Sequence, residues 1–229
     1  MNLSQIWAIV KKDVVSELRT KEMVVSMFLF VMLAMVIFNY AFGAEKNDLT
    51  PYAGGLLWTA FLFMSMLGLN RSFVHEKDEG CLDGLLLSPV DRSTILLGKM
   101  LGNLIFLIIV QVLAVPVFAV FFIEVNFLGR LGQFILSILL SDIGISAVGT
   151  LLATISINSK MRDMLLPIIF LPVSIPLVIA AVISTSGALA GAGSPDELQQ
   201  ISSAMKFLVA YDIIFLLVAY ALYDFVVGE

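Results

Sequence analysis

The chain has 229 residues, 60% of them hydrophobic and 14% charged, with a formal net charge of −5 and a sequence pI near 4.9. A soluble domain carries about 45–50% apolar residues, and one this small leaves too much surface in water to hide more. A disordered chain, a nucleic-acid binder and a disulfide scaffold (one cysteine, Cys81) are excluded on the same figures, which leaves an all-α integral membrane protein.

Residues 1–21 come first, and they have the helical period. Leu3, Ile6, Trp7, Val10, Val14 and Leu18 share one face, with Gln5, Lys12, Ser16, Arg19 and Thr20 opposite. Such a helix lies in the headgroup plane, either as a plain anchor or as a lever on the first span. Six uncharged blocks follow. A bilayer core about 30 Å thick needs roughly 20 apolar helical residues, so spans are predicted at about 23–43, 51–70, 97–122, 131–157, 164–186 and 206–226. Lipid offers the backbone no partners and strict alternation is absent, so the spans are helices. The first block is too long for the apolar core of a signal peptide and is expected to be retained.

The loop 71–96 between the second and third spans is the most informative stretch. His75-Glu76-Lys77-Asp78-Glu79-Gly80-Cys81-Leu82-Asp83 is dense in charge, and Leu85-Leu86-Leu87 and Ser88-Pro89-Val90-Asp91 follow. Ser88 suits an N-cap, Pro89 the first helical position and Asp91 the acid of a capping box. The expected form is a short helix, a sharp break and a new helix rising into the third span. Acidic residues beside a stripe of Leu82, Leu85 and Leu86 suit docking of another protein. A solvated charged loop, or leucines covered by the membrane surface, are the other readings.

The fourth block is rich in small residues (Ser137, Ser141, Gly144, Ser146, Ala147, Gly149, Thr150, Ala153, Thr154), which allow close helix approach, so it is placed at the bundle centre or at a dimer seam. Asp142 lies within it. An acid at bilayer depth costs roughly 2.5–3.5 kcal/mol and marks a functional candidate. The preferred reading is an acid bonded to a neighbouring Ser or Thr, or partly hydrated near the outer face. The fifth block holds Pro167, Pro172 and Pro176, so that span is expected to be kinked or broken, as a hinge or as a plain bend. Residues 187–205 are assigned a short outer-face or re-entrant segment. Asp212 and Asp224 are read as interfacial.

Basic residues orient the chain. With six spans, ten of the thirteen Lys and Arg residues fall on the side of the termini, so both termini are predicted to be cytoplasmic; Lys46, Arg130 and Lys206 fall opposite. One His (His75) and one Cys are too few for a zinc cluster, and there is no phosphate-binding G-x-x-x-x-G-K-[S/T] loop or Ser/His/Asp set. The expectation is a non-enzyme with no metal site, no cofactor of its own and lipid around it.

Several runs resemble the CcmB family, the permease subunit of the cytochrome c maturation ABC complex. They are Gly54-Gly55-Leu56-Leu57-Trp58-Thr59-Ala60, Leu67-Gly68-Leu69-Asn70-Arg71-Ser72-Phe73, Glu79-Gly80-Cys81-Leu82-Asp83, Leu85-Leu86-Leu87-Ser88-Pro89, Leu97-Gly98-Lys99 and Leu166 to Leu177. The resemblance implies an ABC-2 (type V) exporter-like fold in the bacterial inner membrane. It also implies a coupling loop for a CcmA-like ATPase, which binds the ATP, with Arg71, Phe73, Glu76, Glu79, Gly80, Leu82, Asp83, Leu85, Leu86 and Pro89 as its contact residues. Further implied partners are a second copy of the chain, CcmC-like and CcmD-like subunits and, indirectly, a CcmE-like haem chaperone. Haem is the implied substrate. Asn70 departs from the family pattern, which has an acid before the Arg, so no salt bridge is carried over there. Asp142 is not part of that pattern. Three functions stay open: haem export, a scaffold that couples hydrolysis to chaperone release, and an ABC-2 permease for another lipid or drug-like substrate.

Overall fold

The computed structural model describes residues 3–43, 50–78, 90–122, 130–157, 162–189 and 194–226. Among them the regular structure is helical throughout: α1 Leu3–Thr20, α2 Glu22–Gly43, α3 Thr50–Asp78, α4 Arg92–Phe121, α5 Leu131–Ile157, α6 Arg162–Leu189 and α7 Pro195–Val226. The last six are long and apolar enough to cross a membrane.

The helix ends explain where the chain turns. Between α1 and α2, Lys21 has φ 56°, the left-handed region that ends a helix. Glu17 then caps α2: its Oε1 accepts the N–H of Met23 and of Val24, both at 2.9 Å. At α7, Ser194 Oγ accepts the Glu197 N–H at 3.3 Å and Glu197 Oε2 accepts the Ser194 N–H at 3.1 Å, a reciprocal capping box with Pro195 in the first turn.

Several boundaries differ from the sequence reading. The helix through the second span does not end near residue 70 but continues through residues 71–78, since no Gly or Pro interrupts the chain between Arg71 and Gly80. Helix α4 starts at Arg92, with Asp91 at the capping position in extended conformation and making no side-chain cap. Ser88 and Pro89 lie outside the described residues. Segment 195–205, expected as a separate outer segment, is the beginning of α7, since the Ser194 box starts the helix there. Helix α6 is not broken: it runs unbroken through all three prolines.

α5 is the axis of the bundle. Of its central window 72% is buried, against 22% for α2 and for α7. It packs on α3, α4, α6 and α7, while α2 lies on α3 and α4, and α1 lies across the start of α4. Its glycines make the approach close: a methyl at Gly144 would meet Leu177, Tyr211 and Asp212, and one at Gly149 would meet Leu69. Trp58, Phe61, Phe118, Phe134, Phe170 and Met64 fill the interior, and Leu29, Leu33, Ile168, Ile179 and Leu217 face outward.

Candidate functional site

Polar groups inside an apolar bundle cost energy unless they meet partners, so their positions mark what the fold is built to hold. Here they form a file along α4 and α5. It begins where α1 crosses α4. Gly98 and Gly102, one turn apart, leave a notch: a methyl at Gly98 would lie 2.9 Å from Ile9 Cβ, and one at Gly102 would lie 3.4 Å from Asp13 Oδ2. From the same turn Lys99 donates to Asp13 Oδ2 at 2.8 Å, with the two side chains 2% and 9% exposed. Lys12 Nζ stands 3.2 Å from the other carboxylate oxygen.

The file continues along the helix pair. Ser146 donates to the Met100 carbonyl at 2.6 Å, Asn103 Nδ2 to Thr150 Oγ1 at 3.0 Å, and Gln111 Nε2 to Asp142 Oδ1 at 2.8 Å. From Lys99 to Gln111 is twelve residues, about 18 Å of helix rise. The seam thus reaches from the α1 end into the middle of the bundle.

A second tie lies beside it. Arg71, on α3, donates to Ser26 Oγ at 3.1 Å and pairs with Glu22 at the start of α2. Arg71 thus finds its acid on another helix. The pair is exposed, so its contribution is small, about 0–1 kcal/mol.

The other residues singled out from sequence fall as follows. Phe73 and Glu76 lie on the last turns of α3. Glu79, Gly80, Leu82, Asp83, Leu85, Leu86 and Pro89 lie outside the described residues. Pro172 and Pro176 share the outward side of α6 with Ile168, Ile175 and Ile179. Across from that side Tyr211 donates to the Val173 carbonyl at 2.9 Å, three residues before Pro176. A neighbouring helix thus meets backbone acceptors near a proline, as bundle helices with prolines require.

Two acids are corrected. Asp142 is fully buried, and its hydrogen-bond partner among the described residues is the amide of Gln111 and not a Ser or Thr. Asp212 is not interfacial: because α7 begins at Pro195, it falls mid-helix, 5% exposed, against Gly144 of α5. The apolar stripe of α1 is also divided. Ile6, Ile9 and Val10 are buried on the bundle, while Leu3 (76% exposed), Trp7 (65%) and Leu18 (61%) remain uncovered, as a helix lying in headgroups needs.

Sequence reasoning passed over the notch. Its signal was present as Gly98-x-x-x-Gly102, a spacing that brings helices close. The Ser194-x-x-Glu197 box was equally visible. Among the described residues no three His, Cys, Asp or Glu side chains converge to hold a metal ion.

Comparison with known proteins sets this architecture in a family. The family model described as CcmB protein matches residues 4–225, nearly all of the seven helices. The chain belongs to the CcmB family. Curated relatives are named heme exporter protein B. The one from Pseudomonas aeruginosa is 28% identical over 178 residues, 76% of this chain and 77% of its own length. That from Rhodobacter capsulatus is 29% identical over 159 residues, 66% and 68% of the two chains. A Bradyrhizobium diazoefficiens relative is 22% identical over 189 residues, 82% and 84%. The CcmB match takes in the α1 crossing, the Gly98 notch and the α4–α5 seam together.

Proposed function

We propose that this chain is the membrane-spanning permease subunit of an ABC complex for cytochrome c biogenesis. It lies in the bacterial inner membrane with the α1 end and both termini on the cytoplasmic side. A CcmA-like ATPase docks on residues 79–89 and the last turns of α3, where Arg71, Phe73 and Glu76 lie. Hydrolysis in that partner is coupled to haem export, or to release of a haem-loaded CcmE-like chaperone, in a complex with CcmC-like and CcmD-like subunits and a second copy of this chain. The family match over residues 4–225, with relatives named for heme export, carries the reading.

The geometry at the α1 end supports the coupling part. α3 projects past Arg71 toward the proposed docking segment and is tied there to α2, while Asp13–Lys99 ties α1 to α4. A push on the end of α3 therefore has polar contacts to act through at the membrane surface, and Pro167, Pro172 and Pro176 are the candidate hinge on the far side of α5.

A scaffold that moves no substrate is the second reading. It is favoured by the α4–α5 seam, whose side chains bond one another across the helices, and by the placement of the one histidine of the chain, His75, beyond the second span. Haem loading of the periplasmic chaperone, measured in cells whose partner ATPase cannot hydrolyse ATP, separates the two. Failed loading supports export; normal loading with blocked release supports the scaffold. Loading and release both unaffected would refute the coupling role.

A further inference from the structure

The pair at the inner end of the polar seam leaves two oxygens unaccounted for. Gln111 Nε2 donates to Asp142 Oδ1 at 2.8 Å, and the two side chains are 2% and 0% exposed. The other halves of the same two groups, Gln111 Oε1 and Asp142 Oδ2, are buried and have no hydrogen-bond partner among the described residues. An ionised carboxylate makes this arrangement costly. It has acceptors only, the amide carbonyl is an acceptor too, and each unmet buried oxygen is expensive.

A proton on the acid would give these two acceptors a donor to share. A carboxylic acid has a single O–H, and with that hydrogen on Oδ2 directed at Gln111 Oε1, acid and amide exchange two hydrogen bonds. We propose that Asp142 holds a proton inside the membrane as the neutral acid, and that Asp142 and Gln111 form a two-bond acid–amide clasp pinning α4 to α5. The clasp is a proton-binding site and takes no cargo.

The charges around the pair agree with a neutral acid. Along α4 the preceding cation is Lys99, about 18 Å away by helix rise and bonded to Asp13. Along α5 it is Arg130, about as far in the opposite direction and donating to the Gly187 carbonyl. From α7 the charged side chain that faces α5 at this depth is a second acid, Asp212, whose buried Oδ1 also lacks a partner among the described residues. Ser141 stands next to Asp142 on α5 and donates to the Ser137 carbonyl one turn before it at 2.8 Å, while the buried Ser137 Oγ has no partner among the described residues. An anion at Asp142 would have a second buried acid, Asp212, across α5 and, among the described residues, no cation at its own depth.

Asparagine tests this directly, because D142N presents the same pattern as the neutral acid: Nδ2–H donates to Gln111 Oε1 while Oδ1 accepts from Nε2. In the whole chain in lipid nanodiscs, D142N should keep the wild-type unfolding midpoint, whereas D142A and Q111M should lower it. Infrared spectra of protein labelled with 13C at aspartate give an independent readout on the wild type. A labelled carboxylic-acid carbonyl band should be present and should diminish in D142N. Loss of stability in D142N equal to that in D142A, or loss of a carboxylate band in place of the acid band, overturns the proposal.

Discussion

Separating Asp13 from Lys99 should loosen α1 from the bundle by an amount the geometry bounds. A fully exposed ion pair contributes about 0–1 kcal/mol, and deleting one partner of a buried pair costs about 3–5 kcal/mol. Lys99 belongs to the buried case at 2% exposure, with its Nζ 2.8 Å from Asp13 Oδ2. Asp13 does not quite belong to it, since Lys12, 42% exposed, already stands 3.2 Å from its other oxygen and brings a solvated charge to it. A double-mutant cycle of D13N, K99M and the combined variant should therefore give a coupling energy of about 2 kcal/mol, between those limits. The cycle also removes whatever each side chain does with third parties. The assay is reversible unfolding in mixed micelles as denaturing detergent is titrated in. Each single variant should be destabilised, and the double variant should lose about 2 kcal/mol less than the two single losses added together. Strictly additive losses, with coupling below about 0.5 kcal/mol, would show that the pair does not hold α1 to α4.

Two further outcomes follow from the α1 end. At Lys21, φ 56° is costly for a β-branched residue and free for glycine, so K21G should leave stability unchanged or slightly raised. K21V should lower it by about 1–2 kcal/mol in the same titration, and equal effects of the two would refute the elbow. At Gly98, a methyl would sit 2.9 Å from the Cβ of Ile9, part of a helix wall, so G98L should destabilise by about 1–3 kcal/mol and raise proteolysis within α1. The double variant G98L/I9A should lose less than the G98L and I9A losses added together; strict additivity would place the strain elsewhere.

The spans were readable because a bilayer imposes a length and a composition that neighbouring helices cannot change. What sat between and across the spans was less so. The uncharged run from Met164 to Pro195 is too long for one span and suggested a separate outer segment over 187–205, yet residues 195–205 are helical, since Ser194 and Glu197 cap the chain there. That one misplaced start moved Asp212 from mid-membrane to the interface. Arg71 was quoted among coupling residues, but its pairing with Glu22 and Ser26 joins positions 45 and 49 residues apart, which local pattern cannot show. Asp142 was recognised as a costly acid, and its partner was sought among the Ser and Thr of its own block. Gln111 lies one span away, in a stretch whose two amides, Asn103 and Gln111, read as incidental until the helices are packed. The amphipathic face of α1 was visible, though its division between bundle and headgroups depends on Gly98 and Gly102 of another helix.

The proposed function needs a coupling segment presented to an ATPase on the inner side of the membrane, and the single cysteine of the chain offers a label within that segment. Reaction of Cys81 with a membrane-impermeant maleimide, measured in intact spheroplasts and in inverted vesicles, decides the point. Modification is expected in inverted vesicles, lost when the partner ATPase is bound, with none in spheroplasts. Modification from the outside of intact spheroplasts would contradict the proposed function.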